Sequence, residues 1–195
     1  MNLIIASNNE HKIAEIKEIL SDDFDEIISM AEAGVFDDIE ETGATFEENA
    51  LIKAKFVSEK VGCAVLADDS GLEVDALNGA PGVYSARYCG HHGDDEANND
   101  KLLIEMEGVT DRRAQFTCAV ALVRPDEEDI IAQAHCPGEI LHERRGTGGF
   151  GYDPLFYMDY LGKTMAELDA QTKNKISHRY RALCALKEML ESENE

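Results

Sequence analysis

Apolar positions change period several times along the chain, and each change marks an element. Residues 3–7 open with an unbroken apolar run that predicts a buried strand. Residues 10–20 follow with Ile13, Ile16 and Leu20 at helical spacing. A short strand is predicted over residues 25–30. Thr45 and Glu48 have the spacing of a capping box, and Phe46, Ala50, Ala54, Val57 and Val61 form the apolar stripe of the helix it opens. Residues 64–67 predict a strand ending at Asp68-Asp69. Residues 72–74 predict another, ended by a turn at Asn78-Gly79. Residues 94–106 read as a helix. Residues 114–123 and 129–139 read as two long strands around a turn at Pro125-Asp126. Residues 146–151 form a glycine loop, and residues 177–190 a closing amphipathic helix. Strands and helices interspersed in this way predict an α/β fold, a mixed sheet with flanking helices. No repeat, low-complexity tract or linker divides the chain, so residues 1–195 are taken as one domain.

Composition narrows the function classes. A chain of 195 residues, 44% hydrophobic, is long enough for a sizeable core, and the lack of Trp makes that core aliphatic. No apolar run reaches the ~20 residues of a membrane span, and the N-terminus lacks the basic start of a signal peptide. Five scattered cysteines without a C-x-x-C pair argue against a disulfide framework or a zinc ribbon. These features predict a cytoplasmic protein. Eighteen basic against forty acidic residues leave a net charge of −22. That field repels nucleic acid and acidic membranes, so neither is an expected partner. Any polyanionic ligand would need a local gathering of cations, a divalent metal, or both.

Five segments hold candidate chemistry. Ser7, Asn8, Asn9, Glu10, His11 and Lys12 link the first strand to the first helix, where free N–H groups suit an anion. Lys12 is electrostatically misplaced in a first helical turn, a conflict that a bound phosphate would remove; a plain N-cap with a solvated lysine is the simpler alternative. Asp68, Asp69 and Ser70 end a buried strand. Neighbours in a strand point to opposite faces, so one aspartate can serve a site while the other braces the loop; a polar turn is the alternative. Mg²⁺ favours one or two carboxylates together with substrate phosphates. Glu40 and Glu41 precede the capped helix, and either could supply a second metal ligand. Lys53 flanks that helix's apolar stripe and can lean inward or snorkel.

The stretch from residue 146 to 154 contains G-x-G-x-x-G, but Tyr152-Asp153-Pro154 follows where a dinucleotide fingerprint needs a helix. Phe150 and Tyr152 on a glycine loop suit base stacking better. Lys173, Lys175, His178 and Arg179 cluster before and at the start of the last helix, again asking for an anion. His91 and His92 with Asp94 and Asp95 could mimic a metal site, although adjacent histidines in a polar loop are ordinarily just exposed. No P-loop is present, since Tyr157 stands where the first glycine before Gly162-Lys163-Thr164 is required.

The stretches IIASNNEHKIAEI, EETGATFEENALIKA, ADDSGLEVDALNGAPGVYSARY, GTGGFGYDPLF and KNKISHRYRAL resemble the inosine triphosphate pyrophosphatase family. The resemblance runs over nearly the whole chain. It implies an elongated mixed sheet with two lobes around a central cleft, a homodimer, and Mg²⁺-dependent hydrolysis of non-standard purine triphosphates such as ITP, dITP and XTP. It makes Asp69 the catalytic carboxylate and a metal ligand, with Glu41 as the second. It assigns the phosphates to residues 7–12, a substrate contact to Ser70, and the nucleotide and base pocket to Phe150, Gly151, Tyr152, Asp153, Lys173, His178 and Arg179. Lys12 and Lys53 would offset phosphate charge. Ser7-Asn8-Asn9 departs from the Thr-Gly-Asn of many relatives. A Maf-like pyrophosphatase of pyrimidine nucleotides and a non-catalytic nucleotide-binding protein are the rival readings.

Overall fold

The computed structural model describes residues 2–193. Its strands are β1 (Asn2–Ile5), β2 (Glu26–Ser29), β3 (Val65–Val74), β4 (Arg113–Val123), β5 (Ile130–Ile140), β6 (Phe156–Met158) and β7 (Lys163–Thr164). They form one sheet in the order β2-β1-β3-β4-β5-β6-β7. β1 pairs parallel to β2 and to β3, whereas β5–β6 and β6–β7 are antiparallel. The helices are α1 (Glu10–Ile19), α2 (Phe46–Val61), α3 (Asp95–Glu105), α4 (Ala170–Ile176) and α5 (His178–Glu193). The fold is therefore the mixed α/β sheet with flanking helices that the periodicity predicts.

Described residues fall into two compact units. The first holds the chain up to Asp69, Cys118–Ala134 and the residues from Arg179 onward; the second holds Ser70–Thr117 and His135–His178. In the first unit, Leu3 and Ile5 of β1, Leu66 of β3 and Cys118, Val120 and Leu122 of β4 form one core with Ile16 and Leu20 at α1 and Ala182, Leu183 and Leu186 of α5. In the second, Leu72 and Val74 of β3, Phe116 of β4 and Cys136 and Ile140 of β5 pack with Leu102 of α3, Tyr152, Leu155, Phe156 and Met165.

Helix ends follow their caps. Asn9 accepts from the Lys12 N–H at 3.1 Å and starts α1. Thr45 accepts from the Glu48 N–H at 3.2 Å and starts α2. Glu48 does not close the expected box on Thr45; its carboxylate accepts from the Ala44 N–H instead, one residue upstream. Gly62 ends α2 in the left-handed conformation, where a residue without Cβ is unstrained.

The structure departs from the sequence reading in three places. The strands predicted at residues 64–67 and 72–74 are a single β3 that runs straight through Asp68-Asp69-Ser70-Gly71. Two adjacent acids look like a strand end, but here each finds partners on its own side of the sheet, so the ladder continues. KNKISHR precedes and opens the last helix as expected, but its first residues belong to a further short helix that the sequence does not predict. Lys173 and Lys175 lie in the last turn of α4, where positive charge is favourable, Ser177 is its C-cap, and only His178 and Arg179 begin α5. The short strands β6 and β7 carry too few residues for a period to show.

Candidate active site

Within the first unit, β3 separates two aspartates by the alternation of a strand. Asp68 shares a face with Leu66, which belongs to the core beneath α1 and α5. Its carboxylate is fully buried. Oδ2 accepts from Nε of Arg179 at 3.1 Å, lies 3.1 Å from Nη2 of the same guanidinium, and is 3.1 Å from Nζ of Lys12. Nη1 of Arg179 donates to Glu15 of α1. Burial alone would raise the Asp68 pKa, but Lys12 and Arg179, with Lys53, pull it well below the ordinary carboxylate range. The first-turn lysine of α1 thus has an internal anion as its partner, and the expected conflict with the helix dipole is relieved by Asp68 from beneath. Ser7, Asn8, Asn9, Glu10 and His11 surround the start of α1. Asn8, Asn9, Glu10 and His11 are exposed, and Ser7 accepts from the Asn9 N–H at 3.1 Å.

Asp69 points the other way, toward α2. Its Oδ2 accepts from Nδ2 of Asn49 at 3.0 Å, and its Oδ1 lies 3.7 Å from Nζ of Lys53. The Lys53 ammonium also donates to Oε1 of Glu41 at 2.5 Å. Of the two loop glutamates, Glu41 is half-buried and Glu40 is exposed. Burial raises the Asp69 pKa above its ordinary value, and Glu41 adds to the rise against the opposing pull of Lys53 and Lys12. For Lys53, burial would lower the pKa, yet Asp69, Glu41 and Asp68 together raise it. Among the described residues no group of three or more His, Cys, Asp or Glu is placed to hold a metal on its own. Mg²⁺ needs less than that, one or two carboxylates plus phosphate oxygens and water. Glu41 and Asp69 converge on a single cation, so this donor set fits it.

Asn49 escaped the sequence reading. It sits on the apolar stripe of α2 one residue before Ala50, wholly buried. Its side chain does two things at once: Oδ1 accepts from the Gly43 N–H at 2.8 Å and Nδ2 holds Asp69. A buried polar residue in a stripe of apolar ones was the available signal. Asn49→Leu is expected to lower stability by about 1–3 kcal/mol, because it leaves the Gly43 N–H and the Asp69 oxygen without their partner. Urea unfolding of the variant measures this, and a loss within experimental error would show that the two groups repair themselves with water.

In the second unit, Lys173 of α4 is buried and its Nζ donates to Oδ2 of Asp153 at 2.8 Å while standing 4.3 Å from the centre of the Phe150 ring. The same Asp153 oxygen accepts from the Phe150 N–H at 2.9 Å, which ties the glycine loop down. The loop is held from α3 as well. Asp95 accepts from the Gly151 N–H at 2.7 Å, and buried Asn99 donates to the Gly151 carbonyl at 2.8 Å. Neither residue was predicted. Asp95 was weighed beside His91, His92 and Asp94 as a mimic of a metal site, but Asp94 caps α3 and both histidines are exposed. Phe150 is half-buried.

The Tyr152 ring is part of the second core and its hydroxyl donates to the Ser85 carbonyl at 2.9 Å. The Arg179 guanidinium is buried in the first unit on Asp68 and Glu15. His178 is buried, stacked on Phe116 with ring centres 4.8 Å apart. Ser70 is half-buried in β3.

Gly149 is the point where this loop tolerates least. Its φ is +71°, and a Cβ there would lie 2.0 Å from Oδ2 of Asp153, the oxygen shared by Phe150 and Lys173. Gly149→Ala is expected to destabilise the protein by about 1–3 kcal/mol through backbone strain and to raise KM more than it lowers kcat. Steady-state kinetics with a thermal melt test this, and an unchanged KM would separate the loop from substrate binding.

The sequence pattern of the Ham1 family matches residues 3–189. A dITP/XTP pyrophosphatase of Thermoanaerobacter sp. (strain X514) is 52% identical over 189 residues, covering 96% of this chain and 95% of the relative. A dITP/XTP pyrophosphatase of Bacillus subtilis (strain 168) is 50% identical over 191 residues, covering 97% and 96%. The solved structure of the Staphylococcus aureus Ham1 protein superposes with a TM-score of 0.89 at 47% identity, over 99% of this chain and 100% of that one. The resemblance read from the motifs and the matches over the full length lead to one conclusion: this chain belongs to the Ham1 family.

Proposed function

We propose that the protein hydrolyses non-standard purine nucleoside triphosphates, dITP, ITP and XTP, to the monophosphate and pyrophosphate. The observation that carries the reading is the convergence of the Glu41 and Asp69 carboxylates on one cation at the middle of β3, in a chain half identical to enzymes named dITP/XTP pyrophosphatase. Phosphoryl transfer asks mainly for positioning and charge stabilisation. Glu41 and Asp69 are the residues that would hold Mg²⁺, which supplies Lewis-acid neutralisation of the phosphate oxygens. Lys12, steadied by Asp68, and the N–H groups at the start of α1 bind the triphosphate. Asp69, with a pKa raised by burial, positions a water and accepts its proton as oxygen attacks the α-phosphorus and pyrophosphate leaves.

Base recognition is assigned, as the family resemblance implies, to the glycine loop, Lys173 and His178. Phe150 offers a face for stacking, and Lys173 and His178 are donors suited to the 6-carbonyl of hypoxanthine or xanthine. Adenine presents an amino group there, which leaves a buried donor unpaired. Each such mismatch costs about 1–3 kcal/mol, or roughly 5- to 150-fold. The reading carries with it a homodimer, as the family resemblance implies, working in the cytoplasm where the nucleotide pool is made. No helix among the described residues is long and apolar enough to cross a membrane. The test is kcat/KM for ITP, dITP, XTP, GTP and ATP, followed by pyrophosphate release with and without Mg²⁺. The oxo-purine substrates are expected to lead and to need the metal. Equal values for ITP and ATP would end the claim of purine selectivity, and turnover undiminished by chelation would end the metal's part in it.

A further inference from the structure

Lys53 is placed where two roles meet. It projects from α2 with a side chain only 11% exposed, and its ammonium is shared by Glu41 at 2.5 Å and Asp69 at 3.7 Å. These are the two carboxylates assigned above to Mg²⁺. Like charges converging in a low-dielectric setting do not both stay ionised without a counter-ion, and here Lys53 is that ion. A divalent cation bound to the same oxygens would stand within a few ångströms of the ammonium and be repelled by it. Lysine is suited to giving way, being a point charge on a flexible four-carbon stem.

We infer that Lys53 is an internal placeholder cation: its ammonium holds the Glu41–Asp69 pair ready, is displaced when a divalent metal binds, and then pairs with the incoming triphosphate. The inference rests on the proposed function, because it takes Glu41 and Asp69 as metal ligands. One displacement serves both ligands, so metal and nucleotide each favour the binding of the other. Lys53 thereby acts as a positioning residue for the carboxylates before it touches substrate, which distinguishes it from a lysine waiting in solvent for phosphate. Nothing in an ordinary surface ion pair requires this coupling.

The test is Mn²⁺ binding to the nucleotide-free protein, read by electron paramagnetic resonance, for wild type, Lys53→Met and Lys53→Arg. Methionine keeps the stem without the charge. Lys53→Met should bind Mn²⁺ at least about tenfold more tightly than wild type, as loss of one like charge at this range dictates, while Lys53→Arg stays within about twofold. A Lys53→Met affinity within twofold of wild type overturns the inference, and so does equal tightening by arginine. A wild-type measurement covers the case in which the methionine variant does not fold. In protein labelled with ¹³C at lysine Cε, the Lys53 signal, assigned by its loss in Lys53→Arg, should shift on Mg²⁺ saturation without nucleotide. A signal that does not move overturns the placeholder role. Failure here with Mg²⁺-dependent dITP hydrolysis intact sinks only this inference. Wild type that neither binds Mn²⁺ nor hydrolyses dITP sinks the proposed function itself.

Discussion

Asp69→Asn is expected to lower kcat by about 10²- to 10⁴-fold, the usual contribution of a positioned general base, and to leave the fold intact. Asparagine keeps the shape of the side chain and an oxygen for the Asn49 amide, so the hydrogen bond at 3.0 Å survives. Lys53 keeps Glu41. Burial raises the Asp69 pKa above its ordinary 3.8. The sign follows: an acid whose folded pKa is raised costs the folded state stability once the pH exceeds the unfolded value, and this burden is present at neutral pH. Removing the charge should therefore not lower the melting temperature at pH 7. The measurement is pyrophosphate release beside a thermal melt on the same preparation. Turnover close to wild type would take Asp69 out of the chemistry; lost turnover together with a collapsed melt would make it a structural residue.

How far the site was legible in the sequence depended on the range of each interaction. The caps at Asn9 and Thr45 act over three residues, and both were readable. The length of β3 was not, because the sequence shows two acids in a row and not the partners that make them acceptable inside a sheet. Those partners lie 111 residues away for Arg179 and 20 away for Asn49. The cations at residues 173–179 were readable as a cluster, and for two of them the partner is a carboxylate of this chain. Lys173 has Asp153 and Arg179 has Asp68 and Glu15. The rule that misplaced charge calls for a counter-charge held, but it does not say whether a ligand or the protein supplies it. The core packing of Tyr152 was hidden for a related reason: an aromatic on a glycine loop and an aromatic anchoring that loop to a core have the same local sequence. Ser85, whose carbonyl takes the Tyr152 hydroxyl, is 67 residues distant.

Arg179→Met carries the largest expected loss of stability. The guanidinium is buried and joins α5 to β3 through Asp68 and to α1 through Glu15. Taking away one member of a buried ion cluster leaves its partners charged and poorly solvated, which costs about 3–5 kcal/mol. For a chain of this size each kcal/mol moves the melting temperature by about 2–4 °C, so a fall of roughly 6–20 °C is expected. Acid sensitivity should change with it. Asp68 has its pKa held below the ordinary 3.8 by Lys12 and Arg179 against its burial. A depressed acid contributes stability above its unfolded pKa and loses it as the pH falls through the folded value. Without Arg179 part of that contribution is gone, and the stability profile of the variant should flatten on the acid side. Combining Arg179→Met with Asp68→Leu separates charge from packing. Removing both charges of a buried pair is often neutral or stabilising, but Glu15 and Lys12 lose these partners as well, so the double variant should regain only part of the lost melting temperature. Turnover should not return, because Lys12 loses the carboxylate that steadies it at the phosphate end of the site. A single variant that melts within 3 °C of wild type would mean that the guanidinium carries no buried charge balance; a double variant with wild-type kcat/KM would mean that Lys12 needs no anchor.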